Sequence, residues 1–390
     1  MNSSKKRTHA GIDASKATLE ACKESKAGQQ RGKFDNNAAG FCKLIKWIGR
    51  NSRVCVEATG VYHLQLCLAL RKAGIEVMVI NPRVARKFAE SLSVRTKTDR
   101  VDAWTLLEYV KRMDFIPWEA PAPEVLELRD LARRLDDLVQ AASDEKKRRH
   151  SFIAGGAARA VRNDVEINIA HLNRRIKQIE KTAVGVVRAH EWIFEQFKTL
   201  KTVTGIGTRT AILLLAELLP LDPEMTTREI TAYAGLDPRE EQSGSSVHKT
   251  PRISRVGNAR LRAMLFLPAM TLARRDVNAA HFRDRLVGRG KKKMQAIVAI
   301  MRKLLHAVWT MMHRGTAFAS ARLFPVDAAA VQLSLGQRSA MTESPDSVIA
   351  STQPESKASH PKGRSEAEER QLDSSQTEAT GRGRKARAAA

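Results

Sequence analysis

The chain has 390 residues, with 67 Lys and Arg against 42 Asp and Glu and a formal net charge of +25, so its expected partner is a polyanion. No apolar run approaches the roughly 20 residues that span a bilayer, which favours nucleic acid over membrane. The cysteines (Cys22, Cys42, Cys55, Cys67) form no Cys-x-x-Cys pair and the N-terminus has no apolar leader core, which argues against a disulfide framework or zinc site and fits a reducing cytoplasm.

Residues 7–113 read as α/β. Strands are expected near 10–14, 18–23 and 31–34, then a helix over 37–48 with Asn36 as its N-cap. A strand at 53–57, a helix at 61–72 ending near Gly74, and a strand at 77–80 follow, with Asn81-Pro82 marking its exit. Short helices near 84–91 and 99–113 complete the unit. Three strands followed by alternating helices and strands is the order of an RNase H-like fold. Pro117, Pro121 and Pro123 then mark a break. Beyond it, Leu128, Leu131, Leu135 and Leu138, and then Val165, Ile169, Leu172, Ile176 and Ile179, repeat at spacings of three and four, the pattern of a helical hairpin or coiled-coil arm turning at Gly155-Gly156. A third, helical unit runs from about 199 to 325, with a Pro-, Gly- and Ser-containing loop over 237–257. From Asp327 onward nine cations balance nine acids and no aromatic residue occurs, so 326–390 is expected to be a disordered tail. The expected divisions are 1–115, 116–198, 199–325 and 326–390.

Four acids carry the chemical signal. Asp13 and Glu57 end apolar runs that read as strands, and Asp99 and Asp102 stand three apart at a helix start. Carboxylates so placed suit hard divalent cations, magnesium before manganese, and a pair of such ions clamps the attacking and leaving oxygens of phosphoryl transfer. Taken singly, each has a plainer explanation: Asp99 as a helix cap, Asp13 as a turn residue. Three further stretches are candidate nucleic-acid contacts and a fourth holds a candidate nucleophile. In Thr204-Gly205-Ile206-Gly207-Thr208-Arg209 the glycines permit close approach to a phosphate, as in a helix-hairpin-helix element, although a plain interhelical turn has the same look. Arg252, Arg255, Arg260 and Arg262 can hold phosphates by paired hydrogen bonds. Lys291, Lys292 and Lys293 make a cationic turn. Within Gln242-Ser243-Gly244-Ser245-Ser246 a serine nucleophile is conceivable, and spacing does not separate Ser243 from its neighbours.

Together, Val-Glu-Ala-Thr-Gly-Val-Tyr, Asn-Pro-Arg-Val-Ala-Arg-Lys-Phe, Lys-Thr-Asp-Arg-Val-Asp-Ala, Ala-Tyr-Ala-Gly-Leu-Asp-Pro-Arg, Gln-Ser-Gly and Ile-Ser-Arg-Val-Gly-Asn resemble the DEDD transposases of bacterial insertion sequences over residues 7–315. That group includes Piv-type invertases and recombinases guided by a bridge RNA. The resemblance implies a RuvC-like domain with Asp13, Glu57, Asp99 and Asp102 as its quartet. It singles out Ser243 as the nucleophile that forms a covalent phosphoserine link to DNA, without a nucleotide cofactor. It also implies a structured guide RNA, a homodimer assembling further on DNA, and a site composed from two protomers. Two alternatives stay open: a RuvC-like metal-dependent junction nuclease, and a non-catalytic nucleic-acid-binding protein.

Overall fold

A computed structural model describes residues 7–26, 28–58, 60–93, 99–239, 242–243, 247–248 and 252–325, with only the backbone described at 99, 100, 242, 243, 247 and 248. The expected tail at 326–390 lies outside these residues.

The N-terminal part is a mixed sheet built from β1 (Thr8–Ala14), β2 (Thr18–Ser25), β3 (Gly28–Asp35), β4 (Ser52–Glu57) and β5 (Glu76–Ile80), in the spatial order β3-β2-β1-β4-β5. The first three strands form an antiparallel meander, whereas β4 lies parallel to β1 and β5 parallel to β4. Helices α1 (Ala38–Ile48), α2 (Leu64–Lys72), α3 (Pro82–Ser91) and α4 (Asp99–Arg112) complete it. The order is that of an RNase H-like domain. Strand alternation sorts the core into two layers. Ile12, Val54, Val56 and Val77 pack with Leu44, Leu66 and Leu70 of α1 and α2. Cys55, Met78 and Ile80 pack with Ala103, Leu106, Leu107 and Val110 of α4 on the opposite face.

Two local expectations need correction. The cap of α1 is Asn37, whose side chain accepts from the Gly40 N–H at 2.9 Å, while Asn36 donates to the Ser15 carbonyl and ties the β1–β2 turn. Helix α2 begins at Leu64 rather than at 61, because Gly60 turns the chain at φ +56° and Val61 faces solvent; burial starts only at Leu66.

Gly11 fixes how α4 sits. A Cβ there would stand 2.2 Å from the Leu107 nitrogen and 2.3 Å from the Ala103 carbonyl oxygen, so the helix backbone lies directly on β1. Gly11→Ala is expected to lower stability by about 3 kcal/mol, the upper range for overpacking against unyielding backbone, visible as a fall in the thermal midpoint; an unchanged midpoint would contradict this packing.

The rest of the described chain is helical. α5 (Pro123–Ala154) and α6 (Arg159–Ala189) form a long hairpin turning at Gly155-Gly156, with Gly156 at φ +66°. The pairs Arg149–Glu166 and Glu145–Asn168 run antiparallel along it. Leu135, Leu138 and Ala142 pack on Leu172 and Ile176 in its outer part. Its base is different: Leu128, Ala132, Ala183 and Val187 belong to the core of α7 (Glu191–Lys201), α8 (Thr208–Leu218), α9 (Thr227–Tyr233), α10 (Ala259–Arg275), α11 (Val277–Gly288) and α12 (Lys293–Arg314). A division at 198/199 therefore cuts α7, and the arm grows out of the helical core. Among the described residues no helix is long and apolar enough to cross a membrane.

Candidate active site and nucleic-acid interface

β1 and β4 run parallel, with Ile12 opposite Val56, so Asp13 and Glu57 take the next adjacent positions at the same strand ends. Asp13 shares a sheet face with Gly11, the residue α4 lies upon, and Glu57 shares one with Cys55, which packs against α4. Both carboxylates thus belong to the α4 face. The direction of α4 is fixed by its far end. Lys111 pairs with Glu24 at 3.6 Å, and Glu24 with His9 at 2.9 Å, beside the start of β1. The helix therefore runs antiparallel to β1 and brings its first turn, with Asp99 and Asp102, toward the Asp13–Glu57 end. Carboxylate oxygens are the donor type that hard divalent cations take. Among the described residues no three His, Cys, Asp or Glu side chains are already gathered closely enough to hold an ion, and the Asp99 side chain lies outside those residues.

The loop expected at 237–257 contains a narrow β-hairpin. β6 (Pro238–Arg239) pairs with β9 (Arg252–Ile253), and beyond them β7 (Gln242–Ser243) pairs with β8 (Val247–His248), Ser243 opposite Val247. Ser243 thus lies in the outer of two ladders. The remaining residues around it, Gly244, Ser245 and Ser246 included, are outside the described ones.

At the root of the hairpin three polar side chains engage one another. Glu217 of α8, with a side chain only 2% exposed, accepts from Arg133 Nε at 3.0 Å and from Asn258 Nδ2 at 2.7 Å. Burial would push the Glu217 carboxyl up, but the hydrogen bonds from Arg133 and Asn258, with the charges of Arg133 and Arg129, hold it below the usual carboxylate range. Asn258 also donates to the Tyr233 hydroxyl at 3.2 Å.

Several expected phosphate ligands have partners within the protein. Arg209 pairs with Glu180 at 2.7 Å. Arg260 reaches Asp136 and Asp137 of α5 at 2.8 and 2.9 Å. Arg262 donates to the Ala234 carbonyl at 2.9 Å. By contrast Arg252, Arg255, Lys291, Lys292 and Lys293 are exposed. Thr204 and Gly207 lie exposed in the α7–α8 turn, and Gly205 packs toward α10, where a Cβ would meet Thr271 at 2.9 Å. The need for glycine at 205 is therefore explained by its φ of +96° together with this packing, without a phosphate contact. Sequence reasoning missed Glu217, Arg133 and Asn258 as a unit. The signal for it was a lone acid in the apolar run Ala211–Leu218, which demands a buried partner.

Comparison with known proteins gives two family matches. Residues 10–155 match the DEDD-type IS110 transposase model, and residues 197–285 match the transposase model of the IS116/IS110/IS902 family. The chain is 29% identical over 319 residues to a pilin gene-inverting protein of Moraxella bovis, covering 80% of this chain and 98% of the relative. An insertion element IS110 protein of Streptomyces coelicolor is 31% identical over 121 residues, 31% of this chain and 30% of its own length. A putative transposase of Sinorhizobium fredii is 38% identical over 122 residues, 30% of each chain.

Proposed function

Because this chain belongs to the DEDD transposases of the IS110 type, enzymes that cleave and rejoin DNA, we propose that it does so through Ser243 as nucleophile, assisted by the carboxylates Asp13, Glu57, Asp99 and Asp102. The observation that carries this reading is the placement of Asp13 and Glu57 on the α4 face, with the first turn of α4 directed to the same end. Ser243 Oγ attacks a DNA phosphorus; a P–Oγ bond forms as the P–O3′ bond breaks, and the freed 3′ oxygen leaves as a hydroxyl. A 3′ hydroxyl from another strand then attacks the phosphoserine link, restores the phosphodiester and releases the serine. The bond energy is conserved throughout, so no nucleotide cofactor is required. Asp13, Glu57, Asp99 and Asp102 would hold magnesium, with manganese as the alternative ion. The metal supplies Lewis-acid stabilisation of charge on the phosphate oxygens.

DNA is the substrate in this reading, as the name of the gene-inverting relative suggests for that protein. A structured guide RNA selects donor and target, and a homodimer assembles further on the two DNAs, in the cytoplasm. Incubation with junction DNA of the element, magnesium and co-expressed flanking RNA, followed by a denaturing gel, tests the reading. A protein–DNA adduct supports it. Free cut ends without adduct would indicate a metal-dependent nuclease, and binding without either product a non-catalytic module.

The exposed cationic turn contributes backbone contacts. Replacing Lys291, Lys292 and Lys293 with Ala is expected to weaken binding of duplexes of unrelated sequence alike. The salt slope, measured by fluorescence anisotropy, should fall by about 1 for each phosphate that is no longer neutralised; an unchanged slope would remove this turn from the interface.

A further inference from the structure

Several hydrogen bonds close the root of the Ser243 hairpin, and Asn258 makes three of them. Asn258 follows the returning strand β9, and Tyr233 precedes the outgoing strand β6. The Asn258 N–H donates to the Tyr233 carbonyl at 2.6 Å, and its side-chain amide donates to the Tyr233 hydroxyl and to Glu217. Gly257 makes this closure sterically feasible: at φ +141°, a Cβ would fall 2.2 Å from the same Tyr233 carbonyl oxygen. Above Asn258, the Ser254 N–H donates to the Asp237 carbonyl at 2.8 Å and the Ser254 hydroxyl to the Asp237 carboxylate, while the Arg255 N–H reaches the Gly235 carbonyl. Below it, Glu217 is gripped by Arg133, which belongs to α5, the helix that leads out of the α/β domain. Arg260, two residues past Asn258, makes a second tie to the same helix through Asp136 and Asp137.

We propose that Asn258, held by Glu217 and Arg133, is the positioning residue of the serine hairpin: it sets where β7 projects and ties that placement to α5. This deepens the serine reading and rests on it. In this reading the three side chains act through the hairpin rather than on the reacting atoms. Asn258 also caps α10, its Oδ1 accepting from the Leu261 N–H at 3.0 Å, and the two roles need separating. Asn258→Ser retains a capping oxygen and deletes the side-chain amide that reaches Glu217 and the Tyr233 hydroxyl. Asn258→Asp retains the cap and sets a second carboxylate against Glu217. Adding Glu217→Gln to Asn258→Asp restores the hydrogen bond with donor and acceptor exchanged and keeps a single negative charge in the cluster; the residue 217 amide oxygen still accepts from Arg133 Nε, while the Arg133 Nη2 contact is given up.

Two readouts on the full chain test this. Hydrogen exchange of peptides covering 233–243 and 252–262 is expected to quicken at least tenfold in Asn258→Ser and Asn258→Asp, to recover in the double variant, and to stay unchanged in α12. The rate of adduct formation with junction DNA should fall at least tenfold in both single variants, while anisotropy with the same DNA changes less than twofold, and should recover in the double variant. Unchanged exchange in the hairpin root would overturn the proposal. So would equal losses of rate and DNA affinity without rescue, the mark of a merely structural role. If Ser243→Ala leaves the adduct in place, the serine reading fails on its own, and the exchange result still decides whether Asn258 holds the hairpin.

Discussion

Ser243→Ala is expected to abolish the protein–DNA adduct and lower strand transfer by more than about 10^4-fold, the scale seen when a nucleophile acting in concert with its partners is removed. A hydroxyl is a weak nucleophile near neutral pH, so this loss presupposes activation by other groups, which the carboxylate set and its metal supply in this reading. DNA affinity should remain within about twofold, because binding to a duplex is dominated by phosphate contacts to Lys and Arg. The neighbouring serines provide the internal control. Ser245→Ala and Ser246→Ala are expected to retain the adduct. If either of them removes it and Ser243→Ala does not, the nucleophile has been misassigned within the same hairpin.

The second large effect belongs to the carboxylates. Asp13→Asn and Asp102→Asn each keep the size of the side chain and remove one negative charge. Strand cleavage should fall on the order of a thousandfold, since Lewis-acid stabilisation of a phosphoryl transition state is worth several kcal/mol and each 1.36 kcal/mol is tenfold in rate. Neither residue belongs to the apolar core: the layers around them are closed by Ile12, Val56, Ala103 and Leu107. The fold should therefore survive, with circular dichroism and thermal midpoint close to the parent. Parent-like cleavage in both variants would remove the metal assignment. The same reasoning makes Gly11→Ala informative beyond stability, because any shift of α4 moves Asp102 with it.

The sheet was legible because its strands carry unambiguous signals. Val54–Glu57 and Val77–Ile80 are short apolar runs followed by turn residues, and the parity of Gly11 with Asp13 and of Cys55 with Glu57 follows once they are strands. The cap of α1 falls one residue later than expected because Asn36 and Asn37 are chemically the same; the Asn36 contacts with the Ser15 and Tyr62 carbonyls, 21 and 26 residues away, separate them. The Ser243 hairpin was not legible as strands. Its ladders are two residues long, and the segment lacks the alternation that marks a half-buried strand. What holds its root is tertiary: Tyr233, Glu217 and Arg133 come from three helices. The arginines show a related limit. A sequence displays charge but not its partner, so Arg209 and Arg260 read as phosphate ligands although Glu180, Asp136 and Asp137 engage them. Conversely, the acid buried in α8 was a signal of pairing, yet nothing local named Arg133, 84 residues away, as the partner.

The most direct test is the chemical identity of the DNA link. The adduct formed on junction DNA is trapped, digested with nuclease and trypsin, and fragmented by mass spectrometry; cleavage after Arg239 and Lys249 isolates a peptide holding all three candidate serines. A nucleotide joined through phosphate to Ser243 is the predicted result. A nucleotide on any other residue, or cleaved DNA with no modified peptide, would contradict the account.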